Sequence, residues 1–293
     1  MINEKNIIAQ ISLLDDNDDL VYNTVRNNLI AIGLDVIPIL EKSWENLFDD
    51  TTQSRIEEII KTIQSNHIKN ELIKWKKNNS NDLLYGSYLI AKTNYPDLEY
   101  NEIYTAIEKI KDDAWLEFNE NLTALEKIRI INHILFQIHK FFPNTPNFFA
   151  PQNSYINLAI ENKKANTITL AIIYLTLAEM LNMPVYGVDL PNNLILAYVD
   201  PVSASMAFGD SHNDHVLFYI NPFNKGSVFS RREIDFFLSQ KKIEQLPEYY
   251  KPCSNITIIE RLIDSLYLAY SKAGYADKTK EIQDLLIIIK EDN

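Results

Sequence analysis

Apolar residues recur every three to four positions through the first third of the chain. Ile7, Ile8, Ile11 and Leu14 set the first stripe, a spacing that gathers side chains on one face of a helix. The acidic run Asp15 to Asp19 predicts a turn with a bias toward starting a helix. Val21, Val25, Leu29 and Ile32 repeat the stripe, and Gly33 stops it. Asp35 is then placed to cap a helix carrying Val36, Ile39, Leu40 and Trp44, with Pro38 in its first turn. Ile56, Ile59, Ile60 and Ile63 form a further stripe. Short amphipathic helices joined by tight turns predict a helical layer of HEAT type over residues 1–95, with an irregular period. Such a layer serves packing or partner binding rather than chemistry.

Asn78 to Asp82 is a polar break, followed by helical patterns over Leu83 to Tyr95 and Tyr104 to Phe118. Thr123 with Glu126 makes a capping box that opens a helix from Ala124 to His139. Pro143, Pro146 and Pro151 mark an irregular approach to the middle of the chain. There the pattern changes. Thr167 to Leu181 is apolar nearly all round, which predicts a buried central helix. Strand-like runs follow at Pro184 to Val188, Leu194 to Val199 and Val216 to Ile220. From Ser230 the pattern is helical again, ending in a hairpin of Ile256 to Ala273 and Asp277 to Lys290 turned at Gly274. A buried helix with antiparallel strands, flanked by helices, is an α+β core. The expected division is a helical layer at 1–95, a core at 96–250 and a helix hairpin at 251–293.

Composition narrows the function classes. The 293 residues are 46% hydrophobic, ample for a core. With 28 basic against 40 acidic residues the net charge is −12. Nucleic acid and anionic membrane surfaces are therefore excluded as main partners, because their phosphates would be repelled. One cysteine excludes a disulfide framework and a cysteine-based structural zinc site. The start of the chain lacks a secretory pattern, and the longest apolar stretch, Ile168 to Ala178, is too short to cross a bilayer. A soluble, cytoplasmic protein is expected. The glycines at 33, 86, 187, 209, 226 and 274 are far apart, so no phosphate-cradling loop or dinucleotide fingerprint exists.

The stretch NSYINLAIENKKANTITLAIIYLTLAEMLNMPVYGVDLPNN, with LILAYVDP and VLFYINPFNKG, resembles the SirB-type branch of the bacterial transglutaminase-like superfamily. The segment DLLYGSYLIAKTNYPDL and a tetratricopeptide-like C-terminal hairpin fit the same branch, so the resemblance covers nearly the whole chain. It implies a papain-like core. It also implies a nucleophilic cysteine at the start of the buried helix, a histidine opening a strand and an aspartate ending the next strand. A helix N-terminus lowers a thiol's pKa, a histidine takes its proton, and a carboxylate fixes the histidine tautomer. On the residues that match, the cysteine position falls on Thr167, the histidine position on Asn193 and the aspartate position on Asn221. All three depart from the family pattern. A threonine hydroxyl needs an adjacent base, and an amide has no basicity near neutral pH.

Few other residues could replace them. Cys253 lies outside any visible triad and reads as a small packed residue. His212 and His215, in the run Asp210 to His215, fall in the loop between two strands. That places them about 20 Å from Asn193 and Asn221 across a six-residue strand. The same run is a candidate metal loop, with a plain polar loop as the favoured alternative. His133 and His139 are six apart on one helix and do not form a helical zinc pair, and His67 stands alone. Asn166 and Thr167 suit the N-cap of the buried helix. Phe141, Phe142, Phe148, Phe149 and Tyr155 are expected in the core, with the wall of a cleft as the second possibility. The expected protein is catalytically inactive, has no cofactor or metal, and acts by binding a protein or a ligand, with an unidentified protein as the expected partner. The alternative is a residual hydrolase or acyltransferase using Thr167 or a metal in the same cleft.

Overall fold

A computed structural model describes residues 4–46, 49–208 and 215–291. The chain divides into two compact units, Met1–Ile73 and Lys74–Asn293.

The first unit contains α1 (Glu4–Ile11), α2 (Asp19–Ile32), α3 (Ile37–Asn46) and most of α4 (Asp50–Asn78). Asp18 caps α2 by accepting from the Leu20 amide at 2.8 Å. Gly33, at φ 82, ends α2 and leads into a 3-10 turn over Leu34–Val36 that runs straight into α3. Asp35 therefore lies inside that turn and is not the cap that its position suggested. The predicted stripes converge: Ile7, Ile11, Val25, Leu29, Leu40, Ile56 and Ile59 form one buried cluster. Arg55 stacks on the Tyr22 ring 4.3 Å from its centroid and donates to the carbonyls of Leu14 and Asp16.

The second unit opens with α5 (Leu83–Lys92), α6 (Tyr100–Trp115) and α7 (Ala124–Asn132). Asp82 caps α5, and the Thr123–Glu126 capping box starts α7 as the sequence predicts. The helix expected to run to His139 changes to π-helical winding over His133–Ile138. Although its helical pattern continues that of the first residues, α5 belongs with the core. Eight of its ten residues are buried, because its apolar positions surround it rather than forming one stripe.

Next come β1 (Phe142–Pro143), α8 (Ile156–Asn162) and β2 (Lys164–Ala165), with β1 and β2 paired in parallel. The central helix α9 (Thr167–Met180) follows, with ten of its fourteen residues buried. It packs against α5, α6 and α8. A four-stranded antiparallel sheet follows in sequence order: β3 (Val185–Leu190), β4 (Asn193–Val199), β5 (Val216–Asn221) and β6 (Ser227–Phe229). Pro191 and Asn192, the latter at φ 61, turn β3 into β4. The β4–β5 connection contains α10 (Pro201–Phe208), which the apolar pattern did not reveal. β6 also went unpredicted, since three residues are too few for a period.

α9 packs on β3 and β4. Val188, Leu190, Ile195, Ala197 and Tyr219 form a separate cluster with Ile234 and Leu238 of α11 (Arg231–Lys241) and with Tyr250. The hairpin of α12 (Asn255–Ala273) and α13 (Ala276–Lys290) turns at Gly274, φ 79. Arg261 on α12 ties the hairpin to β3 through two bonds to Asp189, at 2.7 and 3.0 Å. Among the described residues no helix is long and apolar enough to cross a membrane.

Candidate functional site

Every helix start leaves backbone N–H groups without intrahelical partners, and at α9 a buried side chain meets that need. Asn166, only 4% exposed, accepts from the Thr169 amide at 2.8 Å through Oδ1. Its Nδ2 donates to Ser154 Oγ at 2.8 Å and to Ser265 Oγ of α12 at 3.1 Å. Its backbone N–H donates to the Asn153 carbonyl at 3.1 Å. Asn153, also buried, donates to the carbonyls of Asn147 and Phe148 and accepts from Asn144 Nδ2 at 2.8 Å. The start of the central helix is thus set in a web of neutral amides and hydroxyls. None of these groups is a base near neutral pH.

Thr167 is the first residue of α9 and half-buried; Asn166, not Thr167, is the cap. Asn193 opens β4 opposite Leu190, a member of the cluster shared with α11. Residues directly opposite in an antiparallel pair share a sheet face, so Asn193 lies on the α11 side. Asn221 closes β5 and caps the 3-10 turn that follows, its Oδ1 accepting from the amides of Phe223 at 3.1 Å and Asn224 at 3.3 Å. That turn packs on α9. The Phe223 ring lies 6.0 Å from the Phe148 ring, edge to face, and Phe148 is held by Asn153. The loop before α9 and the turn after Asn221 therefore meet. Among the described residues no hydrogen bond joins the side chains of Thr167, Asn193 and Asn221.

The imidazoles lie elsewhere. His139 Nε2 is 2.7 Å from Asp113 Oδ2, and His133 Nδ1 is 3.1 Å from Gln137 Oε1. His67 belongs to α4. His215 is exposed and immediately precedes β5, at the end of that strand away from Asn221. His212, with the rest of the candidate metal loop up to Asp214, lies outside the described residues. Among the described residues no group of three or more His, Cys, Asp or Glu side chains is placed to hold a metal. Cys253 is half-buried, with its amide bonded to the Gly187 carbonyl at 2.8 Å. Burial, and then the nearby Asp189 charge, push its thiol up to about 12.

The five aromatic residues ahead of α9 divide into two groups. Phe141 and Tyr155 are 1% exposed, and Tyr155 Oη lies 2.7 Å from Tyr270 Oη. Phe142, Phe148 and Phe149 are 40, 42 and 46% exposed, so core packing does not describe them. The Lys272 ammonium sits 3.2 Å from the Phe149 ring centroid, a cation–π pair at the surface. Sequence reasoning missed the Asn153–Ser154–Asn166–Ser265 network. Asn153 and Ser154 carry a turn signal, but Ser265 is 99 residues from Asn166 and nothing local announces it.

A family model described as the transglutaminase-like superfamily matches residues 101–264, more than half of the chain. A UPF0162 protein of Xylella fastidiosa strain 9a5c is 25% identical over 211 residues, covering 70% of each chain. The F-box only protein 21 of Mus musculus is 22% identical over 156 residues, which are 53% of this chain and 24% of that protein. No solved structure matches the chain.

Proposed function

The chain belongs to the transglutaminase-like superfamily, and from that premise we propose that it is a catalytically inactive, SirB-type member acting through binding. One observation carries this reading: the start of α9 is built from neutral hydrogen-bonding groups. In an active papain-like site that place holds a thiol. Here it holds the Thr167 hydroxyl, which needs a base to attack a carbonyl. Asn193 and Asn221, at the positions of the base and its orienting carboxylate, do neither task. Asn221 is instead engaged in capping its own turn. A missing general base alone forfeits about 10²–10⁴-fold in rate. The protein's one thiol, Cys253, is pushed toward its protonated form by burial, and among the described residues no imidazole is hydrogen-bonded to it.

The exposed rings of Phe142, Phe148 and Phe149, beside this helix start, form the contact surface that we assign to a protein partner. The α12–α13 hairpin acts as a tetratricopeptide-like cap on the core and not as an independent array. A free thiol suits a reducing compartment, and we place the protein in the cytoplasm.

Incubation of the purified protein with peptide amide and thioester substrates tests the reading. Release or transfer of the acyl group is expected to match that of Thr167→Ala and of buffer. Turnover that disappears in Thr167→Ala would overturn inactivity and establish a threonine-based hydrolase or acyltransferase.

A further inference from the structure

At the other end of α9, a cavity of about 380 Å³ opens between the last turn of the helix, the 79–82 turn and the start of α6. Its wall includes Asn79, Asp82, Tyr100, Tyr104, Thr176 and Glu179, and no lysine or arginine. Glu179 and Asn81 also line a second cavity of about 550 Å³, again without a basic residue. The terminal carbonyls of α9 add the negative end of a helix dipole. An anion entering this place meets two carboxylates and a dipole of its own sign, whereas a cation is attracted.

No described lysine or arginine lines the cavity, and what offsets the Asp82 charge is the N-terminus of α5, which Asp82 caps. Asp82 spends its carboxylate on the Tyr85 amide, at 2.8 Å, and the Tyr100 hydroxyl, at 3.2 Å, neither of which is a cation. Burial and the Asp82 charge hold the Glu179 carboxyl above its ordinary range. Thr176, which is 4% exposed, lines the cavity, yet its hydroxyl has no hydrogen-bond partner among the described residues. A threonine inside a helix ordinarily bonds the carbonyl four residues back, here that of Ile172, and Thr176 does not. A buried hydroxyl left this way calls for a partner from outside the chain.

The cavity also limits what that partner is. A calcium or magnesium ion needs six or more oxygen ligands. Two carboxylates, one already committed, do not supply them, and no described cluster of three metal-ligating side chains exists. The rings of Tyr100 and Tyr104, with centroids 6.2 Å apart, instead offer aromatic surface of the kind that attracts organic cations. We propose that this cavity binds a small organic cation, an alkylammonium or guanidinium compound, with its charge toward Glu179 and Asp82 and its carbon chain against Tyr100 and Tyr104. The site is remote from the start of α9 and stands whether or not Thr167 is catalytic.

Amide chemical shifts of the full-length protein, followed during titration with butylammonium and separately with 1-butanol, test this. Saturable shifts at Tyr104, Thr176 and Glu179 are expected with butylammonium and not with its neutral isostere. Glu179→Gln, at an exposed position that tolerates the change, should weaken binding about two- to fivefold. Asp82→Asn, which keeps a capping side chain on α5, should weaken it in the same direction. Equal shifts with 1-butanol, unchanged affinity in both variants, or shifts scattered over the acidic surface would each overturn the assignment.

Discussion

Cys253 and Asn166 show how far a residue's neighbours decide its chemistry. A cysteine in a transglutaminase-like chain invites reading as a nucleophile, but reactivity belongs to the thiolate. With its pKa pushed from 9.0 up to about 12, Cys253 is almost wholly protonated at neutral pH. Its alkylation by iodoacetamide at pH 8 should run on the order of a hundredfold slower than that of an exposed cysteine, and unfolding in denaturant should abolish the difference. Asn166 has the opposite character, uncharged and heavily used. Asn166→Ala removes the α9 cap and strands the Ser154 and Ser265 hydroxyls in the interior. A loss of about 2–4 kcal/mol is expected in denaturant unfolding. Thr167→Ala leaves that cap intact and should cost far less. The cap's residue type was legible in the sequence, because asparagine before an apolar helix is an N-cap signal. Its two serine partners were not, since one of them comes from α12.

Among the elements, α9 is the one most plainly written in the chain. Fourteen residues without a polar stripe have no face to give to water, so the helix is central by necessity. The elements around it are less legible. The π-helical turn after α7 leaves no mark in the hydrophobic pattern, yet Asn132 at its start is a hinge of packing. Asn132 accepts from the Tyr174 hydroxyl of α9 at 3.0 Å and donates to the Gly226 carbonyl, between β5 and β6, at 2.7 Å. Gly226 sits at φ 70, and a Cβ there would lie 1.8 Å from Asn132 Oδ1. Gly226→Ala is therefore strained in its backbone and also expels Asn132 from its place. A destabilisation of about 2–4 kcal/mol is expected from thermal or denaturant unfolding. Tyr174→Phe, which removes only the hydroxyl, should cost about 1–2 kcal/mol.

For the molecule as a whole, acid acts through a shared device at several helix starts. Asp49, Glu126, Asp200 and Glu233 all have carboxyls held below their ordinary values, chiefly by hydrogen bonds from the hydroxyl or amide of Thr52, Thr123, Ser203 and Ser230. A carboxyl whose pKa is lower in the folded state contributes stability above its ordinary value and loses it as pH falls through the folded value. Stability should thus decline from about pH 4.5 downward, and carboxyl titration by NMR should place Glu126 and Glu233 below free glutamate. Glu179 has the opposite sign. Its carboxyl is raised, so it opposes folding when ionised and ceases to do so as pH falls through its folded value. Glu179→Gln should leave neutral-pH stability unchanged or slightly higher in a thermal melt.

Hydropathy along the chain settled the fold class, the buried helix, three of the strands and the terminal hairpin, because burial leaves a period of two or 3.6 residues wherever an element is long enough to repeat it. Residue type alone also says that Thr167, Asn193 and Asn221 carry a hydroxyl and two amides, groups without a thiol, an imidazole or a carboxylate. Folding alone decided which side chains meet. Asn166 joins Ser265 across 99 residues. Phe148 reaches the turn after Asn221. Thr176 and Glu179, three residues apart and so on nearly the same face of α9, line one cavity with Asp82 and Tyr100. Those meetings depend on how helices and strands far apart in the chain are packed together, and a one-dimensional pattern records only which face of each element is turned inward, never what it will find there.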